Sequence, residues 1–257
     1  MNPEEIKSLL NIIPEDTRNA VMKPSASNVG IALNGLFLQK FGKYVQNGII
    51  KQVEIDAFKK SITNKFNNMD LQNYDPSKLG QAYKTLENSA ERLDEELLRE
   101  MFSNLLAGTL NKQVNENISP KFKTILADMS IKEAILLKKL YTSPLFPAFP
   151  LFNVFTQNID KKIEKKTFSN LIGISNSIHI NEPLTIDELI RDGIVSVDTS
   201  NTLADKNSII IYSSISEKIG FETYNSKNQS ESISIRKGAL TFTSFGQSFA
   251  RTVLAED

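Results

Sequence analysis

Few side chains in this 257-residue chain have the chemistry of a reaction centre. There is no cysteine, which removes disulfides, thiolate nucleophiles and cysteine-ligated zinc. The one histidine, His179, sits in Ser177-Ile178-His179-Ile180-Asn181 among apolar neighbours. A lone imidazole with no cysteine and no second histidine makes no zinc site of the usual kind, and its plainer reading is a half-buried strand or loop residue. Glu91/Glu95 and Glu96/Glu100 are carboxylate pairs one helical turn apart. A di-iron bundle would also need Glu-x-x-His pairs on facing helices, and these are missing. Glu95 and Arg99 at i, i+4 point instead to a solvated, salt-laced helix face. The chain has no phosphate loop, no Gly-x-Ser-x-Gly and no Ser/His/Asp set. The sequence assigns no catalytic, metal-binding or cofactor-binding residue and no small-molecule substrate. A nuclease or other effector enzyme built on Asp, Glu and Lys alone is left open, with no Asp…Glu-x-Lys motif on a convincing strand pair.

The remaining chemistry is positive charge. Lys161-Lys162, Lys165-Lys166 and Arg236-Lys237 are the local basic groups. A helix over 160–170 would set Lys161/Lys165 and Lys162/Lys166 on adjacent rows, and Arg236-Lys237 would form the tip of a hairpin. Such a set makes phosphate contacts that position a DNA-reading module; the plainer reading is a solvated surface. Lys+Arg and Asp+Glu are equal at 30 each, for a formal net charge of zero, which argues against a whole-chain polyanion binder.

The elements that position these groups fall into two textures. Up to about residue 129 the periodicity is helical. Leu79, Tyr83, Leu86, Ala90, Leu93 and Leu97 are spaced 4, 3, 4, 3 and 4, a single stripe on a helix. Asp75 and Pro76 are an N-cap and a first-turn proline. The spacing predicts one long helix over 75–111, with Leu97, Leu98, Met101, Phe102, Leu105 and Leu106 making its far end apolar nearly all round and therefore buried. Before it, Ile55, Phe58, Ile62, Phe66 and Met69 predict an amphipathic helix over 51–69, with Lys59, Lys60 and Lys65 on its wet side. Shorter helices are predicted over 3–13 and 18–23. Another, over 27–46, is too short in its apolar part to span a bilayer; a bundle helix is its plainer reading and a membrane-surface helix the alternative. Ser119-Pro120 reads as a cap and first-turn proline.

From about residue 130 the pattern changes, which sets the expected domains at 1–129 and 130–257. Ser130-Ile131-Lys132-Glu133 is a capping box, and Thr185-Ile186-Asp187-Glu188 is read as another. The three prolines of 142–150 predict an extended strap whose Phe146 and Phe149 lie on apolar surface. Helix-like segments are read as ending at Gly173, Gly193 and Gly220. Residues 209–212 are read as helix. Ser232-Ile233-Ser234-Ile235-Arg236, Lys237-Gly238 and Leu240-Thr241-Phe242 predict a β-hairpin, followed by a helix capped at Thr243 or Ser244 and bearing Phe245, Phe249 and Val253. The expected fold is mostly α with a small α+β part: a helical domain on one long helix, then a winged-helix-like domain.

Four of these stretches resemble one bacterial family. Leu97-Leu98-Arg99-Glu100-Met101-Phe102-Ser103-Asn104-Leu105-Leu106-Ala107, then Ser119-Pro120-Lys121-Phe122, Ser130-Ile131-Lys132-Glu133-Ala134 and Leu240-Thr241-Phe242-Thr243-Ser244-Phe245-Gly246-Gln247-Ser248-Phe249, are similar to the signature of the abortive-infection alpha family. Lys23-Pro24 and the glycine-spaced helix after it fit as well, so the resemblance runs from about Thr17 to Leu254. The family's His-Pro is Ser119-Pro120 here, a change that suits a structural cap. The resemblance implies a role in bacterial defence against phage and carries over no catalytic residue. The expectation is a non-enzymatic, cytoplasmic protein working through a protein partner or as a homo-oligomer, less readily at a membrane surface. The N-terminus lacks the basic and apolar regions of a secretory signal. The alternative is a winged-helix nucleic-acid binder.

Overall fold

The computed structural model describes residues 41, 45–48, 50–158, 163–175, 179–224 and 231–255. The expected helices over 3–13 and 18–23 and the apolar run 29–38 lie outside the described residues. Contacts divide the chain into two compact units, Met1–Ala134 with Ser248–Asp257, and Ile135–Gln247.

The first unit is helical. Helix α1 (Gln52–Asn68) buries Ile55, Phe58, Ile62 and Phe66, the stripe that its 3, 4, 4 spacing predicts. Lys65 is not on a wet side: it is buried and ion-paired with Glu100, Nζ to Oε1 2.6 Å.

The expected single helix over 75–111 is broken. Asp75 does cap, accepting from the Ser77 N–H at 3.0 Å, but Pro76–Lys78 is a 3₁₀ turn. Helix α2 (Leu79–Asn88) follows, then a second 3₁₀ turn, Ala90–Arg92, and helix α3 (Glu96–Thr109). No Gly or Pro marks the break; side chains make it. The Ser89 hydroxyl donates back to the Leu86 carbonyl at 2.8 Å, and Glu95 turns extended at φ −93°, ψ 108°. Arg99 donates to the Leu93 carbonyl at 2.6 Å, and Arg92 to Ala127 at 2.8 Å. These bonds replace the ladder bonds that a continuous helix would supply.

The far end of the expected rod behaves as its composition requires. Helix α3 buries Leu98, Met101, Phe102, Leu105 and Leu106, with α1, α2 and α4 (Phe122–Asp128) packed on it. Each such side chain contributes roughly 1.5–3 kcal/mol through burial. The cap at Ser119-Pro120 is displaced: Ser119 Oγ accepts from the Lys121 N–H at 3.3 Å, and the helix starts at Phe122. The Ser130/Glu133 box is formed in both directions, at 2.7 and 3.3 Å, and opens α5 (Ile131–Tyr141).

The second unit is built on a five-stranded antiparallel sheet of β1 (Ala148–Asn158), β2 (Ile163–Gly173), β3 (His179–Ile180), β4 (Val195–Asp198) and β5 (Glu231–Phe242), ordered β3-β2-β1-β5-β4. The expected hairpin at Lys237-Gly238 is absent. Residues 231–242 are one strand, paired with β1 along its length, so the helix-hairpin-helix order of a winged helix is replaced by this sheet. Gly238 serves close approach instead of a turn: a Cβ there would lie 2.5 Å from the Asp198 carbonyl oxygen. The expected helix over 160–170 is also corrected, since its described residues belong to β2. The strap is shorter than expected, with strand beginning at Ala148, but its rings are on apolar surface: Phe146 meets Tyr141 and Phe242 at 5.2 and 4.9 Å between centroids.

Helix α6 (Pro183–Arg191) starts two residues before the expected Thr185 box, and ends into Gly193 at φ +72° as expected. Gly173 lies at the end of strand β2, and Gly220 lies inside α7 (Lys206–Tyr224), so neither stops a helix. Ile211, Tyr212 and Ile215 of α7 pack on Phe152, Val154 and Leu171. The Tyr212 hydroxyl donates to the Gly238 carbonyl and accepts from the Leu203 N–H at 3.2 Å. Helix α8 (Ser244–Val253) is capped at Thr243, whose Oγ1 accepts from the Gly246 N–H at 2.9 Å. A Cβ on Gly246 would come within 1.8 Å of the Ile194 carbonyl oxygen.

Candidate functional site

The basic residues stand on strands, which decides what they can share. Lys161 and Lys162 lie outside the described residues. Lys165 and Lys166 are both exposed on β2, and neighbouring strand residues point to opposite faces, so the two adjacent rows expected of a helix do not form. Arg236 and Lys237 divide in the same way. Arg236 lies 4.1 Å over the Phe155 ring and is held there by a fork to Glu164, both N–O distances 2.7 Å. Lys237 stands 5.8 Å from the Tyr212 ring on the side covered by α7. Lys166 is in register with Phe155. One sheet face therefore carries Lys166, Phe155, Arg236 and Glu164, with exposed Gln157, Ser232 and Ser234 around them. This exposed ion pair, one guanidinium nitrogen to both carboxylate oxygens, fixes the guanidinium over the ring.

The break before α3 parts Glu91 from Glu95, while Glu96 and Glu100 stay one turn apart within α3. Glu91 lies in the 3₁₀ turn, Glu95 is the N-cap and Glu96 the first residue of α3. Arg99 serves the Leu93 carbonyl. Glu100 takes Lys65 on one oxygen and the Ser61 hydroxyl on the other at 2.7 Å. Among the described residues no three His, Cys, Asp or Glu side chains gather as a metal-binding group. His179 lies half-buried in β3.

Two polar clusters in the first unit have shifted protonation. The Asp75 carboxyl is resisted by partial burial but is held below the usual aspartate range by hydrogen bonds from Ser77 and Asn115 and by Lys78 nearby. Beside it, Tyr74 is pushed up to about 12 by burial and by the Asp75 charge. A shallow surface depression is lined by Gln81, Thr85, Thr109, Ser119 and Lys123, and burial together with the Lys84 charge lowers the Lys123 ammonium. It encloses no room for even a water molecule, unlike the roomy clefts that hold small molecules.

The partners Phe155 and Glu164 were not singled out by sequence reasoning. The alternation of Phe155 with buried Val154 and Thr156 was the available signal, masked by the prolines before it. Spacing alone puts Lys65 on the wet side, because its partner Glu100 lies on another helix.

A helical unit and an antiparallel-sheet unit make this an α+β protein. A family model described as abortive infection alpha matches residues 50–253, and the chain belongs to that family. No curated protein and no solved structure matches it. The residues that carry the family resemblance are largely a packing junction in the first unit: Phe122 meets Phe249 edge to face at 5.2 Å, and the Asn104 amide donates to the Val253 carbonyl at 2.9 Å. Among the described residues no helix is long and apolar enough to cross a membrane.

Proposed function

We propose that the protein is a non-enzymatic, cytoplasmic phage-defence protein of bacteria, acting through protein–protein contacts. Family membership supports the defence role. The contact mechanism is supported by apolar side chains in water in the second unit: Ile209 and Ile210 next to each other on α7 and, separately, Leu184 on α6, 71% exposed. Large apolar side chains left exposed mark contact surfaces when they cluster. Efficiency of plaquing on cells carrying the gene tests the role. Wild type is expected to protect, and Leu184→Ser/Ile209→Ser/Ile210→Ser, folded by circular dichroism, to lose protection. Undiminished protection by the triple variant would remove these side chains from the mechanism.

A second reading is nucleic-acid binding, supported by Lys166 and Arg236 flanking Phe155 on one sheet face. Stacking and phosphate contact from a sheet suit single strands. The reading requires a salt-dependent mobility shift lost on changing Lys161, Lys165, Lys166, Arg236 and Lys237 to Glu; no shift at low salt removes it.

A further inference from the structure

Strand β5 is 12 residues long, yet among the described residues no strand pairs with much of its outer side. On the inner side β1 pairs with it from Glu231 to Thr241 without a register shift. On the outer side β4 covers only Ala239, Leu240, Thr241 and Phe242. Among the described residues, 231–237 meet no strand there. Position 238 closes the edge, because the Asp198 carbonyl and Thr199 lie against Gly238.

The direction of the main-chain groups follows from two bonds. The Thr243 N–H donates toward β4, to the Ile194 carbonyl at 3.1 Å, and the Phe242 N–H toward β1, to the Pro147 carbonyl at 2.8 Å. These groups alternate along a strand. Carried back along the unbroken register, the alternation places the N–H and C=O of Glu231, Ile233, Ile235 and Lys237 on the open edge. Such a row is a template for another strand.

We propose that a second copy of this chain occupies this edge, β5 against β5, antiparallel about a two-fold axis at Ser234, so that one sheet runs through a homodimer. This names the partner in the contact reading above and rests on that reading. A two-fold axis perpendicular to the sheet pairs residues on the same face. Over the described residues, the open stretch runs from Glu231 to the closed position 238. The register that uses all of it has its centre at Ser234.

That register is also the complementary one. It sets Glu231 opposite Lys237 of the second copy at both ends, and Ile233 opposite Ile235 twice. Ser232 faces Arg236. Opposite charges and β-branched pairs directly across are the favourable cross-strand pairs. Ser234 meets itself in the close, non-hydrogen-bonded position, where a small side chain fits. Ile233 and Ile235 are half-buried, while Ser232, Ser234, Arg236 and Lys237 are exposed. Among the described residues the outer side of β2 is open beyond Ile172 and Gly173 as well, but there Lys165 and Lys166 oppose pairing of like with like.

Sedimentation velocity of the full chain over a wide concentration range tests the proposal. Wild type is expected to be a reversible dimer, of about micromolar affinity for so small an interface. Lys237→Glu sets like charges across both ends and is expected to weaken the dimer about tenfold. The swap Glu231→Lys/Lys237→Glu is expected to restore it, which a merely structural role for Lys237 would not do. Ser234→Lys, on an exposed face, is expected to leave a folded monomer. A monomeric wild type overturns the proposal, as does a dimer indifferent to Ser234→Lys, or a swap that stays as weak as Lys237→Glu. Plaquing is scored separately: a protective monomer sinks the dimer alone, and a dimer without protection sinks the defence reading alone.

Discussion

Helix α3 and strand β5 are the spines of their units, and they are enclosed in different ways. Phe102 on α3 is fully buried, and its helix is covered by side-chain volume from α1, α2 and α4. At its covered end, β5 is fitted by main chain: Gly238 against Asp198 and, just beyond the strand, Gly246 against Ile194. Among the described residues, the other end of β5 keeps a free edge. Side-chain packing tolerates a shape change by partial relaxation, whereas two backbones in contact have little room to yield. The helical unit should therefore respond to lost volume, and the sheet unit to added volume.

The largest effect is expected from Gly246→Ala. Its new methyl would overlap the Ile194 carbonyl, and the loss should reach about 4 kcal/mol or more, read by urea denaturation. In the helical unit Phe102→Ala should cost about 3–5 kcal/mol by the cavity it leaves. If Gly246→Ala proves milder than Phe102→Ala, the contrast between main-chain and side-chain enclosure fails.

A smaller, pH-dependent effect sharpens the helical side. Hydrogen bonds hold the Asp75 carboxyl low in the folded state, so its contribution is present above the unfolded pKa and is lost as pH falls through the folded value. Thermal stability should fall on acidification below about pH 4, and Asp75→Asn should flatten that slope. A melting-temperature series in acid decides it; an unchanged slope would exclude Asp75 as its source. The least effect is expected from Ile209→Ser, since that side chain is 53% exposed. Stability should stay within about 0.5 kcal/mol of wild type by the same denaturation.

What was legible in the sequence was local. The Ser130/Glu133 box needs residues three apart, and it formed. The stripe of α1 and the apolar end of α3 were read from spacing alone. The long rod was not broken by any residue that spacing could flag: its 4, 3, 4 pattern runs straight through residues 89–95, while the bonds that turn the chain involve Ala127, far along the sequence. The second unit was misread for a related reason. Lys161 to Lys166 keep helical spacing and Lys237-Gly238 looks like a turn, but pairing with β1 overrides the first at Lys165 and Lys166 and the second throughout. The basic residues were found, yet their division between two faces follows from strand alternation, and the Arg236–Glu164 fork spans 72 positions.

Residues 199–205 lack regular structure, the kind of stretch that proteases cut first. Yet the phenol of Tyr212 clasps the Leu203 amide on one side and the Gly238 carbonyl on the other. Burial raises its pKa, so at neutral pH the proton that it lends to Gly238 stays in place. Together with the Asp198 carboxyl, which accepts from the Ser200 and Asn201 amides, the phenol oxygen moors a bare loop to the sheet, and limited digestion should cut it faster once the hydroxyl is removed.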